Sequence, residues 1–459
     1  MEDYTLTVGL EIHAELATKT KMFCNSANDT KEARPNTNVC PVCTGYPGTL
    51  PVINKEAVRS VLRLGVAVGG EISEYTEFDR KNYFYPDIPK GYQISQYKHP
   101  LVQGGSLANV AITRIHLEED TAKSIHNEKG ESLLDFNRAG TPLVELVTEP
   151  VIHDSETASR FAREFQLLLT YLDVSHANME RGEMRVEANI SVSKTGEKGT
   201  KVEVKNLNSF KSVEKAIKYE FERQVKFIAD GGKVIQETRG WDEEKEETFS
   251  QRAKEGSHDY RYFPDPDLPK LSIKDIPEFG KDALAASLSE LPWQKRERFL
   301  GLGISKEHTE IYVTQPEWGR YFEEVVEILK EPELLVSASN YITSDLKDQG
   351  VAPLELVEVV RMISKNELSS RGAKEVLKIL TETGGEAKKV AEQNNLIQRN
   401  NTEELNKIAR EIINENTVAV EEFKKGKTAS LQFLIGQAMK VTKGSANPQV
   451  LKEIFEKIL

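Results

Sequence analysis

Three short segments carry acidic and imidazole side chains at spacings that could do chemistry. In Thr7 to Leu16 the alternation puts Thr7, Gly9, Glu11, His13 and Glu15 on one face of a strand, with Val8, Leu10, Ile12, Ala14 and Leu16 on the other. Glu11 and His13 then point the same way. That suits a divalent cation, or a carboxylate–imidazole pair for proton transfer; a solvated strand face is the competing reading. Ala111 to Asp120 ends in His116-Leu117-Glu118-Glu119-Asp120, and three successive carboxylates after an apolar run ask for a cation or a basic substrate. Pro142 to Pro150 alternates Leu143, Glu145, Val147 and Glu149 against Val144, Leu146 and Thr148. A carboxylate on so apolar a strand needs a partner. Oxygen donors with one imidazole favour magnesium or manganese over zinc.

A basic, aromatic stretch runs from Phe78 through Arg80, Lys81, Tyr83, Phe84 and Tyr85 to Lys90 and Tyr92. Lysines among rings can hold phosphate or stack on a base, or simply form a packed turn. Arg185 and the Lys205-Asn206 pair lie on alternating, mixed-charge strands, the latter just before a helix from Ser212, and are candidate phosphate contacts. No G-x-x-x-x-G-K-[ST] loop occurs, so any nucleotide site is not of the P-loop type. Cys40-Pro41-Val42-Cys43 is a C-x-x-C pair with Cys24 upstream. It reads as half a zinc knuckle or as reduced structural cysteines; Thr44 to Gly48 looks like loop rather than the helix a redox pair needs.

The elements that must position these residues divide near residue 290. Before it, short alternating runs punctuated by Gly and Asn predict strands, with helices at Lys55–Val68, Asp154–Leu172 and Ser212–Ala229. After Leu291-Pro292 the periodicity is helical: Trp318–Lys330, Pro353–Ser364, Leu368–Thr383 and Glu403–Glu415. Gln393 to Asn401 is polar and Asn-rich and reads as a linker. The expectation is an α+β protein: residues 1–291 a catalytic domain on a mixed or antiparallel sheet, 292–398 a helical domain, and 399–459 a small all-α tail. With 61 Lys and Arg against 73 Asp and Glu, the net charge of −12 excludes an evenly basic nucleic-acid coat. Six lysines and no acid nevertheless fall between Phe423 and Lys452, at 424, 425, 427, 440, 443 and 452, flanking an apolar helical stripe of Leu431, Leu434, Ile435, Ala438 and Met439. Phosphate contact is one reading and an ordinary solvated helix the other. No apolar run reaches the ~18 residues of a membrane span. Met1-Glu2-Asp3-Tyr4 does not open a secretory signal, and three cysteines make no disulfide framework. A cytoplasmic location with no membrane partner is expected.

Taken together, these segments carry a resemblance. Val8-Gly9-Leu10-Glu11-Ile12-His13, Pro35 to Pro41, Phe78 to Asp87, Tyr92 to Gln96, His116 to Asp120, Phe136 to Leu143, Lys205 to Phe210 and Asp259 to Pro264 follow in the order found in the B subunits of the aspartyl/glutamyl-tRNA amidotransferases. The chain resembles that family over essentially its whole length. The related archaeal E subunits carry a large insertion for which there is no room here. The resemblance implies a cradle domain, a helical domain and a YqeY-like tail that holds tRNA. It implies a ligase that uses ATP and Mg²⁺ to phosphorylate the side-chain carboxylate of Glu on tRNA(Gln) or Asp on tRNA(Asn). Ammonia from the amidase A subunit then displaces the phosphate, and a small C subunit holds the other two together. It assigns Mg²⁺ to Glu11, His13, Glu119 and Glu145, with Glu119, Lys81 and Lys90 at the reaction centre. The family's zinc version uses C-x-C followed by C-P-x-C; Cys24, Cys40 and Cys43 match, but Ser26 stands where the fourth cysteine would be. The alternatives are a stand-alone metal-dependent hydrolase, which predicts activity without partners, and a non-catalytic tRNA-binding scaffold, which predicts tRNA binding without ATP consumption.

Overall fold

The computed structural model describes residues 4–29, 33–127, 129–194, 199–253, 260–346, 350–398, 402–442 and 446–459. Asp259, Lys443 and the expected tail boundary at residue 399 lie outside the described residues. The chain divides into two compact units, Met1–Pro292 and Trp293–Leu459.

The first unit is built on strands β1 (Thr5–Glu15), β2 (Asp79–Asn82), β3 (Tyr92–Ser95), β4 (Val110–Glu119), β5 (Pro142–Thr148), β6 (Met184–Ser193), β7 (Val202–Leu207), β8 (Glu237–Asp242), β9 (Glu247–Ala253) and β10 (Phe263–Pro264). A ten-stranded sheet runs β9-β8-β7-β6-β1-β5-β4 and continues into the two-residue strands Val102–Gln103 and Glu71–Ile72, with Ser106–Leu107 pairing β4 off this path. Every pairing in it is antiparallel except β7 with β8. β1 lies at the centre, and its even-numbered residues Val8, Ile12 and Ala14 are fully buried. Helices α2 (Ser155–Tyr171) and α3 (Phe210–Ala229) pack on each other and on this sheet, burying Phe161, Phe165, Leu168, Val213 and Ile217. Helix α1 (Lys55–Ala67) covers the β4 end, where Gly65 lets it approach: a Cβ there would meet Val102 Cγ2 at 2.5 Å. β2, β3 and β10 form a separate three-stranded sheet, ordered β10-β2-β3.

The caps explain where elements begin. Asn54 and Asp154 accept first-turn N–H groups of α1 and α2. Ser209 accepts the Ser212 N–H at 3.0 Å, so α3 starts at Phe210, two residues before the expected start. β5 stops at Thr148, not Pro150: its register shifts after Val147, and Pro150 has no N–H to pair.

The second unit is helical. Its helices at Pro316–Ile328, Pro332–Asp345, Pro353–Ser364 and Pro448–Ile458 each open on proline, whose missing N–H is harmless in a first turn. That shifts the expected Trp318–Lys330 helix two residues earlier. The polar 393–401 stretch is partly packed: Ile397 bridges Leu368 and the Gln398 N–H donates to the Glu367 carbonyl at 2.8 Å. Thr402–Glu415, Thr417–Lys424, Ala429–Val441 and Pro448–Ile458 surround a core of Leu405, Ile412, Leu434, Leu451 and Phe455. The α+β architecture with a helical C-terminal part is as expected. No described helix is long and apolar enough to cross a membrane.

Candidate functional site

Strand register assembles the site, because residues opposite each other in antiparallel strands share a face. One row across four strands reads Arg185, His13, Glu145, His116. The next reads Glu187, Glu11, Val147, Arg114, and the row on the other side puts Glu15 opposite Leu143 and Leu143 opposite Glu118. Glu11, His13, Glu118, Glu145 and His116 thus converge on the polar face of the sheet. His13 Nε2 lies 3.3 Å from Glu145 Oε2, 3.5 Å from Glu118 Oε1 and 3.8 Å from Glu11 Oε1. His116 Nε2 is 3.2 Å from the same Glu145 oxygen. Two overlapping donor sets result, Glu11–His13–Glu145 and His116–Glu118–Glu145, with Glu145 common to both.

The electrostatics describe a crowded acidic pocket. Burial, and then the Glu145 charge, push the Glu11 carboxyl up to about 7. Burial disfavours the His13 imidazolium, but its hydrogen bond to Glu145 and the charges of Glu145, Glu118 and Glu11 raise it to about 9. Burial alone would raise Glu145; the adjoining His116 and His13 hold it well below the ordinary range. His116 and Glu118 are 2% and 3% exposed, and His116 Nδ1 and Glu118 Oε2 have no hydrogen-bond partner among the described residues. Such orphaned buried atoms cost about 1–3 kcal/mol each. Carboxylate oxygens with imidazole nitrogens in this arrangement fit a hard divalent cation.

Glu119 is placed elsewhere. Being one residue on from Glu118, it projects from the opposite face of β4, where it pairs with Lys90 and accepts the Ile94 N–H at 3.0 Å. Both partners are largely buried, at 11% and 6% side-chain exposure. The residue brought to His13 is Glu118, which motif and spacing passed over together with His116. Period two was the available signal, since His116 and Glu118 share parity and Glu119 does not. Lys81 lies within electrostatic reach of Glu118 and Glu145, its ammonium 5.1 Å from the Tyr260 ring centroid and 5.6 Å from that of Tyr83. Burial is the largest single influence and opposes that charge, but Glu118, the neighbouring tyrosines and Glu145 together outweigh it and raise the pKa, so Lys81 is a cation. Arg185 is committed to buried Asp120, at 3.2 and 3.3 Å. Lys205 pairs with Glu187 at 2.9 Å and Glu203 at 3.7 Å. Asn206 is exposed in a left-handed conformation, φ 64°, where the β6–β7 register slips.

The three cysteines come together within 4.8 Å. Cys43 accepts the Cys40 N–H at 3.2 Å, and Ser26 Oγ lies 3.9 Å away. Fully buried Lys21 directs its ammonium at Cys43 Sγ, 3.7 Å away, and at the Phe136 carbonyl. The Cys24 thiol, then the Cys40 N–H and the Lys21 charge, pull Cys43 down to about 4, while the Cys24 thiol is itself pushed up. Nothing local in the sequence marked Lys21. Cys24, Cys43, Lys90, Tyr92 and Glu119 line a cavity of about 200 Å³. Gly140 also lines it, at φ 85°, a conformation that strains any residue with a side chain; a Cβ there would meet Cys43 Cβ at 3.3 Å.

In the second unit Lys424, Lys425 and Lys440 are exposed, whereas Lys427 pairs with Glu422 at 3.0 Å and Lys452 lies 3.9 Å from Glu456. Acids just outside the acid-free window therefore temper the basic surface.

Residues 6–276 match the family described as the GatB/GatE catalytic domain, and residues 320–459 match the GatB domain. The chain is 42% identical to the B subunit of the Synechocystis aspartyl/glutamyl-tRNA(Asn/Gln) amidotransferase, covering 100% of this chain and 98% of that one. The Thermodesulfovibrio yellowstonii protein of the same name is 41% identical, with 99% of each chain covered. That of Brevibacillus brevis is 40% identical over 100% of this chain and 99% of its own. With both domain models matched in order and relatives aligned end to end, the chain belongs to the family of aspartyl/glutamyl-tRNA(Asn/Gln) amidotransferase B subunits.

Proposed function

We propose that this chain is the tRNA-dependent, ATP-consuming subunit of a cytoplasmic amidotransferase, converting Glu-tRNA(Gln), Asp-tRNA(Asn) or both to the amide forms. It works with an amidase A subunit and a C subunit. The observation that carries this is the acidic cluster around His13 in a chain aligned end to end with proteins of that name. A carboxylate is a poor acyl donor. Transfer of the γ-phosphoryl group of ATP to its oxygen, releasing ADP, creates a leaving group that ammonia then displaces as phosphate.

In this reading Glu11, His13, Glu118 and Glu145 would hold Mg²⁺, with His116 fixing Glu145. Bound there, Mg²⁺ supplies the positive charge that offsets phosphate as the phosphoryl group moves. Lys81, held charged beneath its two rings, faces the same cluster and meets negative charge developing on the transferred group. We read Lys205 and Asn206, one strand beyond Glu187, as phosphate contacts, Lys205 by exchanging Glu203. Arg185 positions Asp120 at the end of β4. Lys90 and Glu119 line the cavity beside Cys43, which we read as the ammonia approach. We read the cysteines as reduced: the Cys43 thiolate is balanced by Lys21, and a neutral Ser26 hydroxyl is a poor fourth zinc ligand.

The test is co-expression with candidate A and C subunits, followed by ATP- and glutamine-dependent amide formation on misacylated tRNA. Turnover by the isolated chain on simple esters or amides would favour the hydrolase reading. Tight tRNA binding with no ATP consumption by the assembled complex would favour the scaffold.

A further inference from the structure

Phosphoryl transfer and amide formation leave the three cysteines without a task. Their sulfurs lie within 4.8 Å of one another, and the fourth group, Ser26 Oγ at 3.9 Å from Cys43 Sγ, is no thiolate. A cluster that suits zinc poorly still suits another chemistry of thiols. Cys40 Sγ and Cys43 Sγ are 3.9 Å apart, and the Cys40 N–H donates to Cys43 Sγ at 3.2 Å. The Thr44 N–H donates to the Cys40 carbonyl at 3.1 Å, and the Tyr46 N–H to that of Pro41 at 2.9 Å. The pair therefore sits on a turn hydrogen-bonded much as a helix is, the setting of dithiols that open and close. Bonded sulfurs stand about 2 Å apart, so closing this pair contracts the turn by about 2 Å.

The surroundings supply access and a consequence. Cys43 is 4% exposed, yet it lines the same cavity as Lys90 and Glu119, which a molecule as small as a peroxide can enter. A disulfide sulfur is a neutral, weak acceptor, so fully buried Lys21 would lose the group its ammonium faces and keep the Phe136 carbonyl at 3.2 Å. The turn also packs against the Lys90–Glu119 pair. A Cβ on Gly45 would meet Lys90 Cγ at 2.6 Å, and one on Gly140 would lie within 4 Å of Cys43, Lys21 and Glu119. Close-packed atoms have no slack to absorb the contraction, so it passes to Lys90 and Glu119.

Resting on the proposed function, we infer that Cys40 and Cys43 form a peroxide-sensitive dithiol whose closure shuts the ammonia approach. Hydrogen peroxide is the oxidant. One sulfur attacks its O–O bond, becoming a sulfenic acid and releasing one water; the other sulfur displaces the sulfenic oxygen as a second water, forming the S–S bond. The two thiols give up two electrons and two protons, and hydrogen peroxide becomes two waters. A small dithiol reverses the step. The His13 cluster lies on the other face of the sheet from Glu119, so phosphorylation of the substrate continues in the oxidised protein.

The test treats the assembled complex with hydrogen peroxide, removes the oxidant and assays what remains. Misplacing a group on the reaction path by about 1 Å can cost about a hundredfold, so amide formation falls about tenfold or more. ATP-dependent phosphate release on misacylated tRNA persists, and dithiothreitol restores the amide rate. Peptide mapping finds Cys40 joined to Cys43. Cys40→Ser, at a half-buried position, keeps its amide formation through the same treatment, which sets aside oxidation of the A and C subunits. Cys24→Ser, measured against its own untreated rate, is inactivated by the same factor as wild type. Full activity with the Cys40–Cys43 bond in place overturns the inference, as does equal inactivation of Cys40→Ser or parallel loss of ATP consumption. So does a Cys24–Cys43 bond, oxidation that ends at sulfinic acid, or stoichiometric zinc holding all three sulfurs. An untreated wild-type complex that forms no amide would instead overturn the proposed function itself.

Discussion

Exchanging Glu118 and Glu119 separately for glutamine separates two roles that adjacent residues on one strand are given by its pleat. Glu118 Oε1 lies 3.5 Å from His13 Nε2, and its other oxygen has no hydrogen-bond partner among the described residues. Partners that merely orient a metal ligand are worth about 10- to 100-fold in metal affinity. Removing a carboxylate that is itself a donor should therefore raise the Mg²⁺ half-saturation of amide formation by about 100-fold or more. Folding should hardly change, since the glutamine is nearly isosteric and one repulsive charge is gone from around Glu11 and Glu145. Glu119→Gln has the reverse signature. It strands the Lys90 ammonium, 11% exposed, beside a small cavity. Breaking a buried pair by deleting one partner costs about 3–5 kcal/mol, and access to the cavity brings this toward about 2–3 kcal/mol. Pairing it with Lys90→Met should restore most of that loss. The assay combines Mg²⁺ titration of amide formation by the assembled complex with denaturant unfolding of each variant. Were Glu118→Gln to keep the wild-type Mg²⁺ dependence while Glu119→Gln shifted it a hundredfold at full stability, the assignment by strand parity would be refuted.

Three other expectations follow from the same geometry. With His13 raised to about 9 from 6.5, its imidazolium stabilises the metal-free fold fully below about 6.5, and that stabilisation is lost as pH rises through about 9. Mg²⁺ takes only the neutral ring, so its affinity should improve about tenfold per pH unit between about 7 and 9. Calorimetric titration at about pH 8.5, above the Glu11 value of about 7, in buffers of different ionisation enthalpy counts the proton released by His13, and His13→Asn should remove most of that release. Zinc content should be well below one per chain in the purified protein and rise toward one in Ser26→Cys; stoichiometric zinc in the wild type would show that three thiolates suffice. Replacing exposed Lys424, Lys425 and Lys440 with alanine should raise KM for tRNA without lowering kcat, and flatten the salt slope of binding by about 2 to 3. A collapsed kcat at unchanged KM would mean that this surface shapes the active site instead.

What the sequence determined by itself is local. Period two puts Glu11, His13 and Glu15 on one face and Val8, Leu10 and Ile12 on the other, because successive Cβ atoms of a pleated strand alternate. The α1, α2 and Pro353–Ser364 helices lie within a residue of their expected ends, since their caps and breakers, such as Asn54, Asp154 and Pro353, sit in the sequence. The order of the motifs along the chain is enough to point to the family. Strand neighbours were not legible. His13 and His116 converge on Glu145 only because β1 pairs with β5, and β5 with β4, in one particular register, and residues more than a hundred positions apart carry no mutual signal. The same parity rule would have chosen Glu118 over Glu119, but the family motif names both in one run and does not distinguish their faces. Arg185 and Lys205 looked like free phosphate ligands because their partners, Asp120 and Glu187, reach them across the sheet. Lys21 shows the limit most plainly. A lysine is ordinarily a surface residue, and only the tertiary fold, by closing Cys43, Phe136 and Gly140 around it, could make its ammonium the buried counter-charge of a thiolate.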